Sequence, residues 1–101
     1  MPETNYSPES IDAQLLEPPK NYCIILWNDD FTDADFVKTL LINLFGHTSS
    51  NAESLVIHIH QHQKAVVATY PKDIAETRAA QATQLSKMYE FPLKVEVQEA
   101  G

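Results

Sequence analysis

The stretch TDADFVKTLLINLFG, residues 32–46, carries the clearest periodic pattern in the chain. Its large apolar residues recur at spacings of three and four, which places them on one face of a helix. They are Phe36, Val37, Leu40, Leu41, Leu44 and Phe45. Thr32 is predicted to cap this helix, with Asp35 completing a capping-box-like pair, and Gly46 to end it. We therefore expect a helix that packs one face against a core.

Strands are predicted on either side of this helix. Residues 22–27 are β-branched and aromatic, and the run is short enough for a strand buried on both faces. Residues 64–70 predict a second strand, which Pro71 ends. Residues 93–97 alternate between apolar and polar side chains, as in a half-exposed strand. Between the second and third predicted strands, residues 73–89 show a helical stripe rich in alanine, which allows close packing on a sheet.

One segment is ambiguous on pattern alone. Ser49-Ser50-Asn51 offers a cap for a helix, whereas Ile57-His58-Ile59-His60 alternates like a strand. With the segment taken as a helix, the order is β, α, α, β, α, β. That order predicts an α+β fold with three helices on one face of a three-stranded, mainly antiparallel sheet.

Length and composition restrict the classes of function. The chain has 101 residues and a formal charge of −7, so we expect one domain, at residues 18–101, that does not bind nucleic acid. Residues 1–17 lack a periodic apolar pattern and predict a flexible N-terminal tail. No apolar run approaches the roughly 20 residues of a membrane helix, and the single Cys23 excludes a disulfide within the chain. A cytoplasmic protein without a membrane contact is the simplest expectation, and nothing demands more than a monomer.

Two groups of residues could carry chemistry. Asn28-Asp29-Asp30 follows the first predicted strand, where binding groups are often held, although Asn and Asp also form turns by bonding to their own backbone. The four histidines, His47, His58, His60 and His62, could include metal ligands, but no Cys joins them and no His-Glu-x-x-His pattern is present. We expect no metal site and no cofactor. The chain also lacks a glycine-rich phosphate loop and an activated nucleophile, so an enzyme is not expected.

Taken in order, these motifs resemble the ClpS family, the adaptors that deliver N-degron substrates to Clp AAA+ unfoldase-protease complexes. The resemblance covers residues 18–100. It rests on Pro18-Pro19, on Asn28-Asp29-Asp30-Phe31-Thr32 followed by Phe36-Val37, on His60 and Lys64-Ala65, on Ala75-Glu76-Thr77-Arg78, and on Pro92-Leu93. It implies the fold given above and a helix that runs to about His60.

The resemblance also implies a site for the free N-terminal residue of a substrate. Asn28 through its carbonyl, Asp29 through its carboxylate, and His60 directly or through a water would bind the α-amino group, while Asp30 and Thr32 help to order the loop. The first side chain, a large hydrophobic one such as Phe, Tyr, Trp or Leu, would enter an apolar pocket. The implied walls of this pocket are Ala34, Val37, Leu55, Val56, Ile59 and Leu93.

Two positions depart from the family's pattern. Ala34 and Val56 stand where many members have methionine, so the preference among hydrophobic N-termini stays open.

Asp73 and Arg78 match positions that contact the N-terminal domain of a ClpA- or ClpC-type unfoldase, and the tail would engage the unfoldase during hand-over. The alternative is a ClpS-like modulator that binds the unfoldase N-domain without recognising N-degrons.

Overall fold

The computed structural model describes residues 20–100, so the predicted N-terminal tail lies outside the described residues. The elements follow the predicted order, β-α-α-β-α-β. They are β1 (Asn21–Trp27), α1 (Ala34–Asn43), α2 (Ser49–His62), β2 (Lys64–Pro71), α3 (Lys72–Met88) and β3 (Val95–Glu99). None of the helices in this part of the chain is long and apolar enough to cross a membrane.

The three strands form one antiparallel sheet in the order β2-β1-β3, which confirms the predicted fold class. The central strand, β1, pairs Trp27 with Lys64 on one side and Leu26 with Val95 on the other. Its register with β2 shifts between Ile24 and Ile25. Because β1 is flanked on both sides, the loop that follows Trp27 emerges from the middle of the sheet and not from an edge.

The core lies between one face of this sheet and the helices. Ile24 and Leu26 of β1 are fully buried in it, as are Ala75 and Ala82 of α3. Alanine has only a methyl group, so α3 can approach the sheet closely. Successive strand residues point to opposite faces, so Cys23, Ile25 and Trp27 face away from this core. Ile25 is buried as well, yet it lies outside the core cluster.

The ambiguous segment is helical and runs two residues beyond the expected end, to His62. The side chain of Thr48 caps it by accepting a hydrogen bond from the Asn51 N–H at 3.1 Å. Gln63 then turns the chain with φ of 74°, a left-handed conformation that costs a residue with a Cβ about 1 kcal/mol or more. Its carbonyl accepts a hydrogen bond from the Asn28 N–H at 2.7 Å, which ties the end of α2 to the end of β1.

The predicted cap of α1 was wrong by one residue. Asp33, not Thr32, is the N-cap, and its side chain accepts a hydrogen bond from the Asp35 N–H at 2.9 Å. The Thr32 hydroxyl instead donates to the Asp29 carboxylate at 2.7 Å. The Thr32 side chain therefore does not cap α1, because its hydroxyl is bonded to Asp29 in the loop after β1.

Candidate functional site

A cavity of about 330 Å³ opens where the loop after β1 meets α1 and the last turns of α2. Ligand pockets in proteins range from roughly 300 to 1,000 Å³, so this one suits a ligand about the size of one large side chain. Its lining residues are Trp27, Asn28, Asp29, Thr32, Ala34, Val37, Val56, Ile57, Ile59, His60, Gln61 and Leu93. The cavity thus joins a polar loop to apolar residues from two helices and from the segment before β3.

The carboxylate of Asp29 organises the polar side of the cavity. One oxygen, Oδ1, accepts hydrogen bonds from the backbone N–H groups of Phe31 at 2.8 Å and Thr32 at 2.7 Å. The other, Oδ2, accepts from the Thr32 hydroxyl at 2.7 Å. A carboxylate offers about four lone-pair sites, and these bonds occupy three of them. Asp29 therefore orders the loop and still has capacity on Oδ2 for a further donor.

These hydrogen bonds also lower the pKa of Asp29. Partial burial raises the pKa of its carboxyl group, but the bonds from the Thr32 hydroxyl and from the Phe31 and Thr32 amides outweigh it and hold the pKa below its ordinary value of 3.8. Asp29 is consequently ionised at neutral pH. The cavity carries a fixed negative charge at its polar side, with the carboxylate already oriented.

The other side of the cavity is apolar. Five of the six wall residues implied by the resemblance line it, namely Ala34, Val37, Val56, Ile59 and Leu93. Leu55 does not. It lines a separate depression with Ser54 and His58 and packs partly against the core. Leu55 lies five residues before His60, which at 3.6 residues per turn is about 140° around the helix, so it projects away from the side of α2 that lines the cavity.

The predicted polar residues divide between the cavity and its surroundings. Asn28, Asp29, Thr32 and His60 all line the cavity. Asp30 is exposed and outside it, and among residues 20–100 nothing forms a hydrogen bond or ion pair with its side chain. The loop contacts that the structure contains run through Asp29 and Thr32. The role assigned to Asp30 stays a prediction.

Three lining residues were missed by reasoning from the sequence, namely Trp27, Ile57 and Gln61. Ile57 and Gln61 are four residues apart and adjoin Val56 and His60, so a helical interpretation of this segment could have found them. Trp27 precedes the Asn28-Asp29-Asp30 run directly. Its position at the end of β1 could have suggested a contact with the site, but the β-branched and aromatic run to which it belongs pointed only to the sheet.

The two residues predicted to contact an unfoldase lie elsewhere, near the start of α3. Asp73 is exposed and Arg78 is half-buried, and neither lines the cavity. Thr77, between them, donates its hydroxyl hydrogen to the Asp73 carbonyl at 3.0 Å.

The histidines do not converge on a metal centre. Within residues 20–100 no group of three or more His, Cys, Asp or Glu side chains could hold a metal ion. The rings of His58 and His62 stack with centroids 4.2 Å apart on the exposed side of α2. His47 instead bonds through Nε2 to the Val67 carbonyl at 2.6 Å, joining the loop after α1 to β2.

The cavity therefore combines an ionised, oriented acceptor with an apolar hollow. Such a site fits a ligand that carries a cationic hydrogen-bond donor next to a hydrophobic group. The fold and the site together are those of a small domain with an amphipathic cavity on its surface. The sequence model of the family described as "ATP-dependent Clp protease adaptor protein ClpS" matches residues 17–96. The chain belongs to the ClpS family, which is a family of adaptors and not of catalysts.

Relatives agree with this assignment. The chain is 40% identical over 90 residues to the ATP-dependent Clp protease adapter protein ClpS of Helicobacter hepaticus, covering 89% of this chain and 90% of that one. It is 41% identical over 88 residues to the ClpS of Treponema denticola, covering 87% of this chain and 86% of that one. Among solved structures, Agrobacterium tumefaciens ClpS2 bound to L-phenylalaninamide is similar with a TM-score of 0.79 and 35% identity, over 82% of this chain and all of that one.

Proposed function

We propose that this protein binds the free N-terminal residue of polypeptides that begin with a large hydrophobic side chain and delivers them to a Clp AAA+ unfoldase-protease. The observation that carries the proposal is the Asp29 carboxylate, oriented by three hydrogen bonds beside an apolar cavity. A chain N-terminus is an ammonium group one bond away from a carbon that also bears the first side chain. The N-terminal residue therefore carries a positive charge next to a hydrophobic group, which is the combination that the cavity fits.

The two halves of the site contribute comparable free energies. Transfer of a Phe or Leu side chain into the cavity is worth about 1.5 to 3 kcal/mol. A hydrogen bond to a charged group is worth about the same, 1.5 to 3 kcal/mol. Because neither half alone gives tight binding, an internal phenylalanine or an acetylated N-terminus is excluded. The site would therefore select chain ends and not hydrophobic residues in general.

The similar structure from Agrobacterium tumefaciens supports this assignment chemically. Its ligand, L-phenylalaninamide, has a free α-amino group, a benzyl side chain and an amide in place of the carboxylate. It therefore stands in for the first residue of a polypeptide. Asn28 and His60 line the cavity beside Asp29 and are the further acceptors that we propose for the α-amino group.

The decisive experiment compares peptides that differ only at the first residue. Fluorescence anisotropy would be measured with labelled peptides beginning with Phe, Leu, Tyr, Trp, Ile or Met, and with an N-acetyl-Phe control. We expect binding of the large hydrophobic N-termini and none of the acetylated peptide. Asp29→Asn removes the negative charge with little change in shape, so affinity should fall by about 10- to 100-fold.

Asp35→Asn is the matched control, because it removes the same charge from an exposed residue that does not line the cavity. It should leave affinity within about twofold of the wild type, since exposed charges at a distance are screened. Equal losses from the two variants would mean that net charge, and not the Asp29 site, governs binding. No binding to any free N-terminus would instead leave the unfoldase modulator as the function.

The proposed delivery step requires a second surface, and we assign it to Asp73 and Arg78 on α3, which bind the N-terminal domain of the unfoldase. Neither residue lines the cavity, so this surface and the substrate site use different residues. Arg78→Ala should weaken capture of that domain in a pull-down and leave peptide affinity unchanged. Lys87→Ala, at the other end of the same helix, is the control. Capture that is unaffected by Arg78→Ala would exclude this surface.

A further inference from the structure

The indole ring of Trp27 contacts two ammonium groups on the face of the sheet that points away from the helices. Lys64 Nζ is 4.7 Å from the ring centroid and Lys94 Nζ is 4.6 Å from it, both within the range of a cation–π contact. The ring nitrogen Nε1 donates a hydrogen bond to Glu96 Oε1 at 2.8 Å. These four residues, Trp27, Lys64, Lys94 and Glu96, form what we call the tryptophan cluster.

The order of the strands creates this cluster. Trp27 ends the central strand, where it pairs with Lys64 of β2, and its N–H bonds to the Lys94 carbonyl at 3.1 Å just before β3. The two lysines therefore approach Trp27 from the two chain segments that flank β1. Glu96 is paired with Ile25, two residues earlier on β1, and so its side chain lies on the same face as the indole.

The cluster is a local excess of positive charge in an acidic protein. It holds two of the chain's seven lysine and arginine residues, against a formal charge of −7 for the whole chain. Within residues 20–100 neither ammonium forms a salt bridge, whereas Lys38 is paired with Glu53 at 3.3 Å. Lys64 and Lys94 are both exposed. They can meet a negative charge on a ligand without giving up an existing ion pair.

Trp27 also connects the cluster to the proposed α-amino site. It lines the cavity together with Asp29, and the two residues are separated only by Asn28. Their Cα atoms can be at most about 7 Å apart. Consecutive Cα atoms of a bound peptide are about 3.8 Å apart. The second or third residue of a substrate held at Asp29 can therefore reach the cluster by passing over the end of the sheet, where β1 leads into the Asp29 loop.

We propose that the tryptophan cluster is a subsite for the residues after the N-terminal one, and that it selects substrates with an acidic side chain at the second or third position. The inference rests on the proposed function. The α-amino group of the substrate binds the Asp29 carboxylate. The acidic side chain at the second or third position binds Lys64 and Lys94. The site is thus complementary to a positive charge followed closely by a negative one.

The test uses peptides that begin with Phe-Glu, Phe-Gln or Phe-Lys and are otherwise identical, contain no tryptophan and are labelled at the far end. In the wild type, the Phe-Glu peptide should bind about three- to tenfold tighter than Phe-Lys, because exposed ion pairs are individually weak. The preference should shrink as salt rises from 50 to 300 mM, which shortens the screening length.

A double variant, Lys64→Gln with Lys94→Gln, should bring the Phe-Glu to Phe-Lys affinity ratio to about one or below and leave Phe-Gln affinity nearly unchanged. The matched control is Lys72→Gln with Lys87→Gln, which removes the same charge from α3 and should retain the preference. A cluster that only stabilises the sheet would change unfolding but not this ratio.

The outcomes separate the two proposals. If the Phe-Gln peptide binds, and the Phe-Glu and Phe-Lys peptides bind with equal affinity, the proposed subsite is overturned and N-terminal recognition stays intact. A preference that survives in the double variant as it does in the control would also overturn the subsite. If none of the peptides with a free N-terminal phenylalanine binds, N-terminal recognition itself fails and the subsite falls with it.

Discussion

Two concave regions of this protein differ in what their apolar residues contact. In the cavity beside Asp29, the apolar side chains line an open volume next to a carboxylate. In the groove between α1 and the end of α3, which is larger at about 580 Å³, aromatic rings contact one another. Phe36 lies 5.3 Å from Tyr89 and 5.0 Å from Phe91, centroid to centroid. The groove also has a carboxylate, Asp33, but that side chain caps α1 with one hydrogen bond, whereas Asp29 accepts three. The more firmly oriented charge at Asp29 is what distinguishes the cavity.

The largest expected effect tests whether the groove is structural. Phe36→Ala removes both ring contacts and should lower the free energy of unfolding by about 2 to 3 kcal/mol, somewhat less than for a fully buried phenylalanine because Phe36 is half-buried. Urea unfolding followed by circular dichroism measures this. Affinity for a peptide with N-terminal phenylalanine should not change in buffer without urea. A lost affinity with intact stability would instead make the groove part of a binding site.

A smaller effect is expected from filling the cavity. Ala34 is exposed at the rim and lines the hollow, so Ala34→Met places a flexible side chain across one wall. Affinity for an N-terminal tryptophan should fall by about three- to tenfold relative to leucine, since the larger ring meets the reduced volume. Anisotropy titrations with the two peptides check it. An unchanged ratio would mean that Ala34 does not border the bound side chain.

The smallest effect concerns the charge of Asp29. Its pKa is held below 3.8 in the folded protein, so its bonds contribute stability that is fully present above the pKa of the unfolded chain. That contribution is lost as the pH falls below about 4 and through the folded pKa. Thr32→Val removes the hydroxyl donor and should raise the pKa of Asp29, observed by an NMR titration of its carboxyl carbon.

Thr39→Val, on an exposed turn of α1, is the control for this titration. It should leave the pKa of Asp29 where it is in the wild type. An identical pKa in all three proteins would show that the Thr32 hydroxyl does not hold the carboxylate. The polar side of the cavity would then depend on the backbone amides of Phe31 and Thr32 alone.

The family resemblance implied most of the cavity, and the residues concerned belong to short motifs. Asn28, Asp29 and Thr32 lie within one turn, and Val56, Ile59 and His60 within little more than one turn of a helix. The exceptions have local physical causes. Leu55 points away because it lies five residues before His60, about 140° around the helix. Asp33 replaces Thr32 as the cap because Asp29 holds the Thr32 hydroxyl.

The sequence by itself determined the apolar face of α1, the three strands, the alanine-rich α3 and the turn after β1, since spacings of two to four residues control these features. The helical state of α2 was ambiguous on pattern alone and followed from the family resemblance. Only the tertiary structure decided that Trp27 lies between Lys64 and Lys94. These residues are far apart in the chain, and they meet because the fold inserts β1 between β2 and β3. Local periodicity carries no information about which distant strand becomes a neighbour, so the charge pattern beside the cavity depends on the strand order.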